Sequence, residues 1–213
     1  MAVTLVDAEV TRQKFREELG LWQAHGDLAK RGWLVLNENQ EEPSVELALL
    51  ARIATSLAVG FLPVVVCAIR LRYDNYDLWP PSLTFIDLFT RQPSRPHVRA
   101  FVPTPEGPRD VLIEGHPATS QPFLCLPGIR EYHTHPQHTG DDWLLHRASK
   151  EGSISIIAER VWRMMARNVV GLGVSVQALP VFPLQAQIAI QLAQGEMMPG
   201  GAGLAVPPPE RGK

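Results

Sequence analysis

Cys125, Glu131, His133, His135, His138, Asp141 and His146 fall within one stretch, residues 121–146, that holds four of the chain's seven histidines and one of its two cysteines. A thiol, a carboxylate and several imidazoles this close suit either a nucleophilic cysteine with polar helpers or a metal site. A nucleophilic Cys125 acts through its thiolate, and a free cysteine is mostly protonated at neutral pH. His133 and His135 are then the candidates to assist deprotonation, with Asp141 or Asp142 placed to orient an incoming amine. A metal site follows if residues 129–135 are extended, because Glu131, His133 and His135 would alternate onto one face and Cys125 or His138 would close a tetrahedron. Sulfur, imidazole and carboxylate together suit zinc. An inert buried thiol is the third reading of Cys125. His138 and His146 otherwise read as surface or structural residues, and His116 as the cap of a turn, since Pro117 fixes its backbone.

These residues need a scaffold, and the flanking sequence describes one. From Asp7 to Lys30 the residues favour helix, with Phe15, Leu19 and Trp22 on one stripe and Gly32 as the stop. Trp33–Leu36, Val45–Ile53, Pro63–Arg72 and Leu83–Asp87 read as four strands, the last after the Trp79-Pro80-Pro81 break. Cys67, inside the third, reads as core. Residues 88–122 are proline-rich and irregular around one short strand, Val111–Glu114, as expected of a functional loop or inserted flap. Ile154, Ile157, Val161, Met164 and Met165 set a second amphipathic helix over Ser153–Arg167. Gly171 and Gly173 break the chain, and Pro183 starts a third helix through Gln194. The Gly- and Pro-rich residues 197–213 have little to bury and are expected to be a disordered tail.

The totals exclude several classes. At 213 residues the chain suits one domain over residues 1–196. Charged residues make up 20%, and the formal net charge of -2 offers no basic excess for nucleic acid. Two cysteines cannot form a disulfide framework, and no charged n-region precedes an apolar h-region, so the cytoplasm is the expected compartment. The most apolar stretch, Ala58–Ile69, is interrupted by Gly60 and Pro63 and is shorter than the roughly 20 residues needed to cross a bilayer.

A helix, a four-strand meander, a Pro-Pro bend, a His-Pro pair, then Cys-Leu, a tryptophan and a further helix: over residues 8–168 this order resembles the ubiquitin-conjugating enzyme fold. Tyr73–Phe85 is similar to that family's aromatic and Pro-Pro passage, His116-Pro117 stands nine residues before Cys125, and Trp143 is placed like the tryptophan beyond the family's cysteine. The resemblance implies an α+β fold in which Cys125 takes a ubiquitin-like modifier from an activating enzyme as a thioester and passes it to an amine of a target protein. It also implies docking of the activating enzyme on the first helix, at Arg12, Lys14 and Arg16. The candidate catalytic set is Cys125, His133, His135, Glu131, His116 and Asp141. Two departures stand out: Ala118 occupies the place of the family's oxyanion-stabilising asparagine, and residues 88–115 form an insert.

A second resemblance covers the Cys125–His146 region alone. It is similar to a small bacterial family, found beside ubiquitin-like genes, that is predicted to bind metal through a Cys-Glu-His-His set. This implies a non-catalytic zinc module using Cys125, Glu131, His133 and His135. Bacterial operons of this kind pair a modifier, an activating enzyme, a conjugating enzyme and a protease, some of them in antiphage defence.

Overall fold

Asp7 opens the first helix. Its carboxylate accepts from the backbone N–H of Glu9 at 2.8 Å and of Val10 at 3.3 Å, satisfying two donors that a helix start leaves unpaired. In this computed structural model, which describes residues 5–54, 61–167, 169–179 and 185–194, helix α1 spans Ala8–Gln23 and buries Thr11, Phe15, Leu19 and Trp22. The expected stripe is therefore present, but the helix ends seven residues before Lys30. The chain turns through Gly26 at φ 85°, and a separate 3-10 turn, Ala29–Arg31, leads to the left-handed Gly32. Only glycine fits there, because a Cβ would lie 2.3 Å from the Trp162 indole nitrogen.

Strands β1 (Trp33–Asn39), β2 (Ser44–Ala54), β3 (Phe61–Arg72) and β4 (Ser82–Ile86) form an antiparallel sheet in the order β1-β2-β3-β4. Register explains its two-sidedness. Val45 lies opposite Leu71, Leu47 opposite Ile69, Ile69 opposite Phe85 and Leu71 opposite Leu83, and all are buried. One residue along, Glu46 faces Arg70, whose Nε donates to it at 2.8 Å on the other side of the sheet.

After two short helices, α2 (Arg130–His133) and α3 (Trp143–His146), the chain enters α4 (Ile154–Val161). Ser153 caps α4, which continues as a wider π turn over Trp162–Ala166 and buries Ile154, Ile157, Ala158, Val161 and Met165. Phe15 of α1 packs on Tyr73 with ring centroids 5.3 Å apart, and Tyr73 donates its hydroxyl to the Gly152 carbonyl at 2.9 Å just before α4. The helices and the apolar sheet face thus share one core.

Three differences from the sequence expectation matter. The insert is not wholly irregular: β5 (Phe101–Thr104) and β6 (Gly107–Asp110) make a hairpin, followed by β7 (Leu112–Ile113) paired with β8 (Phe123–Leu124). The expected helix over Pro183–Gln194 is instead a strand where it is described. β10 (Gln185–Gln194) pairs with β9 (Val169–Leu179), setting Ile188 opposite Val176, Ile190 opposite Val174 and Leu192 opposite Leu172. The apolar residues in both segments recur at every second position, and that period overrode the helix propensity of Ala, Gln and Leu. Third, residues 130–133 are helical, which overturns the extended conformation required for the alternating metal face. Pro183 and the tail expected over residues 197–213 lie outside the described residues. Among the described residues no helix is long and apolar enough to cross a membrane.

Phe15→Ala removes a fully buried ring beneath the sheet. It is expected to cost about 3–5 kcal/mol in denaturant unfolding, whereas Leu21→Ala on the exposed side of α1 should change stability little.

Candidate functional site

The segment that carries the histidines is fastened to the sheet before it reaches them. Arg130 Nη1 donates to Asp74 Oδ2 at 2.7 Å, its Nη2 donates to the Asp74 carbonyl at 2.8 Å, and its guanidinium lies 5.0 Å from the Trp79 ring centre. The next residue, Glu131, accepts from the Ser82 hydroxyl and, at 3.0 Å, from the backbone N–H of Leu83. Burial pushes the Glu131 carboxyl up, opposed by the bonds from Leu83 and Ser82. Glu131 therefore occupies the open edge of β4 and is a structural clamp, correcting its expected place among catalytic or metal-ligating groups.

His133 is also engaged at both ring nitrogens. Nδ1 lies 2.8 Å from the Asp141 carbonyl, which can only accept, so Nδ1 carries the proton. Nε2 then accepts from the Gly128 N–H at 3.3 Å. Gly128 reaches this position at φ 97°, where any Cβ would fall 2.5 Å from the Glu151 carbonyl oxygen. His133 is thus a loop-bracing hydrogen bonder, whereas the sequence makes it a helper of Cys125.

The imidazole that faces the thiol is His138, with Nε2 3.2 Å from Cys125 Sγ. Sequence reasoning missed it. Its position depends on a 3-10 turn, Pro136–His138, started by Pro136 and capped by the His135 side chain, which accepts from the Gln137 N–H at 3.3 Å. The available signal was the His-Pro-Gln-His run itself, since proline favours the first position of such a turn. The His138 ring stacks on Tyr132 with centroids 3.9 Å apart, and Tyr132 donates to Asp141 Oδ2 at 2.8 Å. Asp141 also receives His146 Nε2 on its other oxygen. Those two bonds hold its carboxyl below the usual carboxylate range, and burial with the Asp141 charge pushes Tyr132 up to about 12. Asp141 acts on the pair by holding Tyr132 beneath His138.

His135 and His116 form the far wall. His135 stacks on Phe123 at 5.2 Å, and His116 meets both rings edge-on. The buried His116 accepts at Nδ1 from the Ala118 N–H at 3.2 Å, leaving Nε2 to donate to Thr134 at 3.3 Å. As expected, it caps the turn. Trp143 is buried and donates its indole N–H to the Asp77 carbonyl at 2.8 Å. Beside the pair, a cleft of about 540 Å³ runs between Trp79 and the loop carrying His133, His138 and Asp141.

Cys125 itself is half-buried and free of any disulfide. Burial raises its thiol above the ordinary value, and Arg109 opposes the rise. Burial and then His135 hold His138 below the ordinary histidine value, with Asp141 acting the other way. At neutral pH the pair is therefore a thiol facing a neutral imidazole that can accept its proton. Cys67 is buried, its thiol pushed up to about 12 by desolvation, and belongs to the core as expected.

The zinc set fares poorly on geometry. Both Glu131 oxygens and both His133 nitrogens already have partners, and among the described residues no group of three or more His, Cys, Asp or Glu side chains is arranged to hold a metal ion. The expected docking cations are divided: Arg12 and Arg16 pair with Glu9 on α1, and Lys14 turns to Asp77.

The fold and site define an α+β protein that presents a half-buried cysteine–histidine pair beside a four-stranded sheet. A family model for the Y4jH family matches residues 6–100 and 110–169, so the chain belongs to the Y4jH-like family. It is 31% identical over 229 aligned positions to the uncharacterized protein y4jH of Sinorhizobium fredii (strain NBRC 101917 / NGR234), with 95% of each chain covered. Cys125 and His138 lie in the second matched segment.

Two outcomes test this assignment. Glu131→Ala strands the Leu83 N–H and should cost about 1–3 kcal/mol on unfolding while leaving the zinc content by elemental analysis equal to wild type. The rate of Cys125 alkylation by iodoacetamide should climb steadily with pH and still be rising beyond the ordinary thiol range near about 8.5, because burial raises the thiol and only the thiolate reacts. A plateau below pH 7 would instead mean a preformed thiolate–imidazolium pair.

Proposed function

We propose that this protein is a ubiquitin-conjugating-like carrier that holds a ubiquitin-like modifier as a thioester on Cys125 and passes it to an amine of a target protein, in a bacterial conjugation system of the antiphage kind. The observation that carries the reading is the 3.2 Å contact between Cys125 Sγ and His138 Nε2. The order of the chain supports it: α1, the β1–β4 meander, the Pro80-Pro81 passage, the His116 turn, then the thiol.

In the loading step His138 takes the thiol proton, and the Cys125 thiolate attacks the carbonyl carbon of the activating enzyme's thioester. A new C–S bond forms, the old one breaks, and the proton goes to the departing sulfur. In the transfer step an amine attacks the carbonyl carbon, an amide forms, and Cys125 leaves as thiolate. His138 is the proton acceptor in both, replacing His133 and His135 in that role. Arg12 and Arg16 lie on the outer side of α1, and their pairing with Glu9 is exposed and easily exchanged, which suits them to meet an activating enzyme.

Incubation with a bacterial activating enzyme, its ubiquitin-like modifier and ATP should give an adduct that thiol reductants cleave. Cys125→Ser should convert it to a reductant-stable ester or remove it, and His138→Gln should slow its formation about 10²-fold or more. No adduct, beside an activating enzyme that carries its own thioester, would sink the proposal.

A further inference from the structure

Ala118 offers no side-chain donor for an oxyanion, and the insert carries a cation, Arg109, two residues before the residue that bonds to Cys125. Val111 is the hinge of this arrangement. Its N–H donates to the Ala100 carbonyl at 2.8 Å, continuing the β5–β6 ladder, and its carbonyl accepts from the Cys125 N–H at 2.8 Å, continuing the β7–β8 ladder. Leu112 pairs with Leu124, so the next step of that register sets Val111 opposite Cys125. Arg109, in β6, stands two residues before Val111, at the diagonal position of the register carried on from β7–β8. Diagonal neighbours across an antiparallel pair lie about 7–8 Å apart, within reach of a long side chain.

The charges around Arg109 leave it available. Asp110 is bound by Arg99, and Glu114 by Arg95 and Arg99. Arg109 is exposed on β6 and has no acidic side chain within ion-pair distance among the described residues. Its positive charge is felt at both members of the pair, favouring the thiolate of Cys125 and disfavouring a charged His138.

We infer that Arg109, presented by the inserted β5–β6 hairpin, is the anion-binding residue of the Cys125 site and receives the negative charge that forms on an electrophile attacked there. The use made of that charge rests on the thioester reading above. When the thiolate adds to a carbonyl carbon, the carbonyl π pair moves onto oxygen. The oxyanion then collapses, restoring C=O and expelling the first sulfur. The guanidinium opposes the charge while it resides on oxygen, in place of the amide that Ala118 lacks. Arg109 falls between the two segments matched by the family model.

The test needs no activating enzyme, so its failure and that of the thioester reading are separable. Cys125 is alkylated in the intact protein with iodoacetate, which is anionic, and with iodoacetamide, which is neutral, and Cys125→Ser is carried as the blank for Cys67. Arg109→Gln should lower the ratio of iodoacetate to iodoacetamide rates about 3- to 10-fold, and Arg109→Lys should keep it near wild type. Equal ratios in wild type and Arg109→Gln would overturn the inference, whatever the thioester assay returned.

Discussion

Two adjacent charges, Arg130 and Glu131, hold the reactive segment in place. Arg130 grips Asp74 and the carbonyl of Pro80, and Glu131 takes the Ser82 hydroxyl and the Leu83 N–H at the open edge of β4. Burying the carboxylate is costly, as its raised pKa reflects, but the bonds it accepts would otherwise be missing from the part-buried edge of β4. The clamp fixes the direction of α2, and α2 fixes where Tyr132, His133 and the following turn can stand. The Cys125–His138 contact is therefore a consequence of charges that never touch it.

This dependence explains what could and could not be read in the sequence. Phe15, Leu19 and Trp22, the four strands and the α4 stripe all announce themselves by period, because one buried face is enough to select them. Cys125 stands out by residue type and by the density of imidazoles after it. Which imidazole meets it is a different kind of fact. His133 is closer in sequence and lost to the backbone, with one nitrogen on Asp141 and the other on Gly128. His138 wins because a helical turn at Arg130–His133 and a 3-10 turn at Pro136–His138 together swing it back. Both elements are shorter than any period can reveal.

The insert and the C-terminal hairpin failed for opposite reasons. In residues 185–194 two local signals conflict, good helix formers against an alternating apolar pattern, and pairing with β9 decides for the strand. In residues 101–110 the signals are weak: a Pro105-Glu106 turn between two segments of four residues, each stabilised mainly by the ladder it forms. Long-range pairing through Val111, to Ala100 on one side and Cys125 on the other, gives that hairpin its meaning, and no local window contains it.

Burial sets the protonation state of the pair, and the proposed carrier role builds on it. A thiolate gains intrinsic nucleophilicity as its pKa rises, but is present in smaller amount at neutral pH. Cys125 lies on that side of the balance, being raised by burial, and His138, being lowered, does not hold the proton permanently in an ion pair. Under the proposed carrier role such a thiol reacts when a bound carbonyl gives the displaced charge somewhere to go. Tyr132, stacked beneath His138 and tied to Asp141, keeps the proton acceptor oriented during that moment without adding a charge of its own. In that proposal burial stores the proton on sulfur, and a partner seated over Cys125 draws it off.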